Sequence, residues 1–127
     1  MFGTRAEWRA LCDADDLRVK RHDIIVRFAN DRSHSVGVHD LTDAYLVTAV
    51  VAAPEALVQV PDIRRKAWLR NRHTKLVGFR IDEDGYLVAQ AWIPKNGLTA
   101  DAFQAMVRAV AREADRYEFQ LTGADDY

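Results

Sequence analysis

The sequence predicts an α+β fold, and three observations carry that expectation. A β-rich run at Ile24, Ile25, Val26 and Phe28 leads into alternation at 35–39 and then into the apolar run Tyr45 to Val51. Asp84-Gly85 stands between two further runs of strand character, and Asp-Gly supplies the φ > 0 that a tight hairpin turn needs. Phe103, Met106, Val107, Val110, Ala111, Ala114 and Tyr117 recur at i, i+3, i+4 and i+7, the stripe of a half-buried helix. Strands kept apart from helices give the order α-β-β-β-α-β-β-α, an antiparallel sheet flanked by helices.

Each element has its own local reason. Thr4-Arg5-Ala6-Glu7 has the form of a capping box, and Ala6, Trp8, Leu11 and Cys12 make a rough apolar face, so a first helix is expected over 4–16. Three strands follow as a meander. The first ends at the turn signal Asn30-Asp31. In the second, Ser35, Gly37 and His39 face away from Val36 and Val38. The stretch 54–61, between two prolines, supports no single assignment. Residues 63–73 contain no helix breaker and are expected to be helical, although Ile63, Ala67, Trp68 and Leu69 do not gather on one stripe. The hairpin 76–93 ends at Pro94 and Asn96-Gly97. The last helix starts at Thr99 as N-cap, with Leu98 and Phe103 placed for a hydrophobic staple and Asp101 favourable to the dipole. It is expected to reach about 121, leaving 122–127 as a loose tail.

The 127 residues suit one domain, 1–127, with no linker or repeat. Eighteen Lys and Arg against 19 Asp and Glu give a net charge of −1, which removes any global pull toward nucleic acid or anionic lipid. Mean hydropathy of −0.27 and a longest apolar stretch of Ala44 to Ala53 exclude a membrane helix. No signal peptide is visible, and the single cysteine, Cys12, cannot form an internal disulfide, so a cytoplasmic setting is expected.

The residues from Leu69 to Gly123 carry a resemblance. Arg70-Asn71-Arg72 precedes the strand Leu76-Val77-Gly78-Phe79-Arg80-Ile81. Then come Asp82-Glu83-Asp84-Gly85, Tyr86-Leu87-Val88, Ile93-Pro94, Leu98-Thr99 and a helix ending Ala114-Asp115-Arg116-Tyr117. This stretch, with the element order, resembles the type III secretion chaperone-like domains of bacteria, and among them the YbjN-type domain. The first half of the chain matches only by element order, and the basic middle segment departs from the more acidic pattern of such domains. The resemblance implies a small, homodimeric, cofactor-free binder that holds or regulates another protein.

Chemistry-bearing motifs are few. Arg64, Arg65, Lys66, Arg70, Arg72 and Lys75 lie together without an acid among them, beside Trp68 and His73. Basic residues interleaved with an aromatic can contact a partner protein or bind phosphates and stack bases, and a solvated face is the commoner outcome. Arg64, Arg65, Trp68, Arg70, Arg72 and Lys75 are therefore the candidate contacts for a partner or an anion. Trp68 on its own is expected in the core.

Of the four histidines, only His34, His39 and Asp40 cluster locally, and a spacing of five on a strand sends the two imidazoles to opposite faces, so no metal site is expected. The acidic loop at 82–85 fails as a calcium loop, because Arg80 and Ala91 would occupy ligand positions. Cys12 reads as a buried, inert thiol. Ser33 and Ser35 have no nucleophile elbow, and no glycine-rich phosphate loop occurs. The expectation is a non-enzyme without cofactor: a protein-binding domain of chaperone or regulatory-adaptor type. The alternative is a small nucleic-acid or anionic-ligand binder using the basic segment.

Overall fold

A computed structural model describes residues 7–72, 74 and 76–122. Six strands, β1 (Leu17–Lys20), β2 (Asp23–Arg27), β3 (Ser33–Asp40), β4 (Ala44–Ala52), β5 (Gly78–Ile81) and β6 (Leu87–Pro94), form one sheet in the order β1-β2-β3-β4-β6-β5. Every neighbouring pair is antiparallel. Three helices accompany it: α1 (Pro54–Leu57), α2 (Ile63–Asn71) and α3 (Ala100–Thr122). The α+β class and its sheet flanked by helices are as the sequence indicates.

The start of the chain differs from expectation. In place of a helix over 4–16 there is a single 3-10 turn, Trp8–Leu11. The Glu7 carboxylate caps it by accepting from the Arg9 amide at 3.3 Å, while Thr4 lies outside the described residues. Trp8, Leu11 and Cys12 are buried, so the apolar face is real but one turn long. The chain then enters β1, a strand the sequence reading missed. β1 joins β2 through Arg21-His22, with Arg21 at φ 59. That dipeptide carries none of the Asn/Gly chemistry that announces such a turn.

Two side chains of α3 lock this segment down. Gln104 donates from Nε2 to the Leu11 carbonyl at 2.7 Å. Arg108 grips Asp16 with both ends of its fork, Nε to Oδ2 at 2.7 Å and a terminal nitrogen to Oδ1 at 2.9 Å.

The second half follows the sequence closely. Gly85, at φ +88, sits in the β5–β6 turn, and Asp82 Oδ1 accepts from the amides of Asp84 and Tyr86, both at 2.9 Å. Thr99 Oγ1 accepts from the Ala102 amide at 3.1 Å and caps α3. Thr122 still belongs to α3, not to a loose tail as expected, and 123–127 lie outside the described residues. The ambiguous stretch holds the single turn of α1, with Pro54 at its first position.

One face of the sheet holds the core. Ile24, Val26, Val36, Val47, Val51, Leu87, Ala89 and Ile93 meet Phe103, Val107, Val110, Ala111 and Ala114 of α3, all buried. Tyr45 packs edge-to-face on Phe103 with ring centroids 5.6 Å apart. Among the described residues, no helix lies across the opposite face. There Leu46 lies opposite Trp92 in the β4–β6 register, and Trp92 is exposed.

Candidate functional site

The described residues form a groove that mixes apolar and charged groups. It lies between α2, the segment leading into β5, and the C-terminal half of α3. Its volume is about 620 Å³, and Leu69, Leu76, Val77, Ala109, Arg112 and Arg116 are among its lining residues. Leu76 is 67% exposed, so its apolar surface faces solvent at the groove.

Packing of α2 against β5 forms one wall of this groove. Asn71, at the end of α2, donates from its side-chain amide to the Phe79 carbonyl at 2.9 Å and accepts from the Phe79 N–H at 2.6 Å. Arg70 turns inward beside it. Its guanidinium lies 4.2 Å from the Tyr117 ring centroid and 5.4 Å from that of Phe79, donates to Gln120 Oε1 at 2.6 Å and approaches Glu113 at 3.9 Å. Burial raises the Tyr117 phenol above its ordinary pKa, with Arg70 pulling the other way.

The predicted contact residues therefore divide. Arg64, Arg65, Trp68 and Arg72 are exposed, with Arg72 set 5.7 Å over the Trp68 ring. Arg70 is largely spent inside the fold. Lys75 and His73 lie outside the described residues. Trp68, expected in the core, is 60% exposed instead. In α2 only Ala67 is buried, because the helix rests on β5 through its smallest side chain and turns its indole outward.

On the sheet side of α3 lies a polar cluster that sequence reasoning missed. His34, on β3, is fully buried, and Glu118 is almost so. His34, Asp115 and Glu118 each bring one ligand-type atom to within 4.8 Å of the other two. His34 Nε2 donates to the Val50 carbonyl at 2.7 Å, where β4 has left its ladder with β3. Arg32 donates to Asp115 Oδ2 at 2.7 Å. His39 is exposed, so the two imidazoles do diverge as expected. About 80 residues separate His34 from the carboxylates, which hid the cluster. One signal was present: Glu118 is i+4 from Ala114 and i+7 from Ala111, on the buried stripe.

Cys12 is buried and its Sγ contacts the Trp8 carbonyl at 3.4 Å. Burial, with a smaller contribution from Glu7, pushes the thiol pKa up to about 11, which leaves it protonated and unreactive at neutral pH. No helix among the described residues is long and apolar enough to cross a membrane.

No family model and no curated protein matches the sequence. Solved structures do. The complex of ExsC with ExsE aligns over 92% of this chain and 94% of the matched chain, at 20% identity and a TM-score of 0.61. The ExoU–SpcU heterodimer from the type III secretion system of Pseudomonas aeruginosa aligns over 92% and 97%, at 14% identity and a TM-score of 0.60. The HopA1–SchA chaperone–effector complex aligns over 92% and 88%, at 13% identity and a TM-score of 0.53. With its six-stranded antiparallel sheet and flanking helices, this chain has the type III secretion chaperone-like fold.

Proposed function

We propose that this protein is a non-catalytic binding domain of chaperone or regulatory-adaptor type, working as a homodimer in the cytoplasm. It would hold an extended segment of a partner protein. The observation that carries this reading is the groove between α2 and α3. Leu69, Leu76, Val77 and Ala109 supply apolar surface for alternate side chains of a bound segment. Arg112 and Arg116 supply charge for acidic residues flanking it. The similar solved structures, each described as a complex of two proteins, support the same reading.

The nucleic-acid alternative has less behind it. Of the basic residues between 64 and 75, Arg70 is engaged by Tyr117, Gln120 and Glu113.

The test is co-expression with the products of genes neighbouring its own, followed by size-exclusion with light scattering. A stoichiometric complex that Leu76→Asp abolishes, with circular dichroism unchanged, is the expected result. Absence of a stoichiometric complex with every such product, or a complex indifferent to Leu76→Asp, overturns the proposal.

A further inference from the structure

The groove between α2 and α3 continues past the helix. Arg112, Arg116 and Gln120, all exposed on α3, line both that groove and a second open cleft of about 440 Å³. The second cleft is bounded by Phe28 and Arg32, at the β2–β3 turn, and by Phe119 of α3. β5 and β2 stand toward opposite sides of the sheet, so α3 is a ridge between two hollows. Phe119 is 55% exposed, and the Arg32 guanidinium lies 5.4 Å from its ring centroid while donating to Asp115 Oδ2 at 2.7 Å. Among the described residues each hollow has three arginines to one carboxylate, in a chain whose net charge is −1. Glu113 is the carboxylate in the groove and Asp115 the one in the cleft. Arg112 and Arg116 stand four residues apart on α3, a spacing at which like charges repel. Arg116 reaches Glu113 at 3.4 Å, a pair open to solvent that offsets little of this repulsion.

We infer that the second cleft takes the continuation of the bound partner segment, with an acidic residue over Arg112 and Arg116 and an aromatic side chain beside Phe119. The inference rests on the protein-binding reading above and names the chemistry of the segment. A carboxylate laid over two guanidiniums makes charge-assisted hydrogen bonds and relieves their repulsion. Phe28 and Phe119 offer ring surface to a further aromatic side chain, which favours offset or edge-to-face contact. Helix geometry sets the spacing. A helix with its side chains is about 10–12 Å across, and an extended chain advances about 3.3 Å per residue. About three to four residues therefore separate the apolar residue at Leu76 from the aromatic one at Phe119, with the acid between them. A nucleic acid would also meet arginines and an exposed ring, but Leu69, Leu76 and Val77 in the first hollow give a phosphate backbone nothing to contact.

The experiment uses the whole chain in complex with the neighbouring-gene product that co-purifies with it. Arg112→Glu and Phe119→Ala change exposed side chains, so circular dichroism and melting temperature should stay as in wild type. Each should weaken the complex about tenfold or more, and Arg112→Lys should keep most of the affinity. With benzoylphenylalanine in place of Phe119, irradiation should crosslink the partner at or beside an aromatic residue, with an acidic residue within about four positions of it. The same photoprobe in place of Trp92, on the far face of the sheet, should not label that segment. A complex that Leu76→Asp abolishes but neither variant weakens overturns this inference and leaves the binding reading standing. So does a crosslink to a segment lacking that acid and aromatic. Absence of any complex overturns both. Binding of a uridine oligonucleotide in place of any protein, lost in Arg112→Glu, overturns both in favour of nucleic acid.

Discussion

Asn71 pairs with Phe79 as a neighbouring strand would, donating to its carbonyl and accepting from its amide. β5 is the outer strand at that side of the sheet, so one carboxamide satisfies two backbone groups that would otherwise face outward on an edge. Replacing Asn71 with Ala strands both groups and should cost about 1–3 kcal/mol in urea unfolding. Asn71→Asp keeps the acceptor but sets a carboxylate against the carbonyl, and should recover little. An Asn71→Ala variant as stable as wild type would show that the contact contributes nothing net.

The fork between Arg108 and Asp16 gives a pH dependence with a definite sign. Hydrogen bonding to Arg108 is the main reason the Asp16 carboxyl titrates below its ordinary 3.8. A depressed carboxylate stabilises the fold above its unfolded pKa and loses that contribution as pH falls through the lower folded value. The pair is partly exposed, so solvent screening holds it to about 0.2–1 kcal/mol. The melting-temperature gap between wild type and Asp16→Asn should therefore stay constant from neutral pH to about 5 and close below about 4.

Cys12 should resist a thiol reagent in the native state. Its reaction at pH 7.5 should proceed only as fast as the 3-10 turn opens, and should become rapid in denaturant. Fast stoichiometric labelling of folded protein would contradict the burial and raised pKa described for it.

Phe103 and Trp68 should behave as opposites despite both being large aromatics. Phe103 is fully buried under Tyr45, so Phe103→Ala should destabilise by about 3–5 kcal/mol. Trp68→Ala should stay within about 0.5 kcal/mol of wild type, as exposed substitutions do. Equilibrium unfolding of the two variants side by side checks both values.

The sequence was most legible where chemistry is local. Asp84-Gly85 and the long stripe of α3 each declare their structure within a few residues, and both formed as expected. β1 was not legible, because its four residues hold only Leu17 and Val19 as apolar markers and its turn, Arg21-His22, has no turn signature. The first helix failed for a related reason. Its apolar residues fit one helical turn, but the segment is held by Gln104 and Arg108 from the far end of the chain. In the basic segment, residue types were visible and directions were not. Nothing near Arg70 in sequence shows that Tyr117 and Gln120 wait for it, or that Trp68 lies outside. Likewise, His34 acquires its meaning only through Asp115 and Glu118.

Because α3 covers one face of the sheet and no helix among the described residues covers the other, the two faces can change independently. Substitutions at Leu46 and Trp92 can alter that surface without disturbing the Phe103 contacts that keep the chain folded.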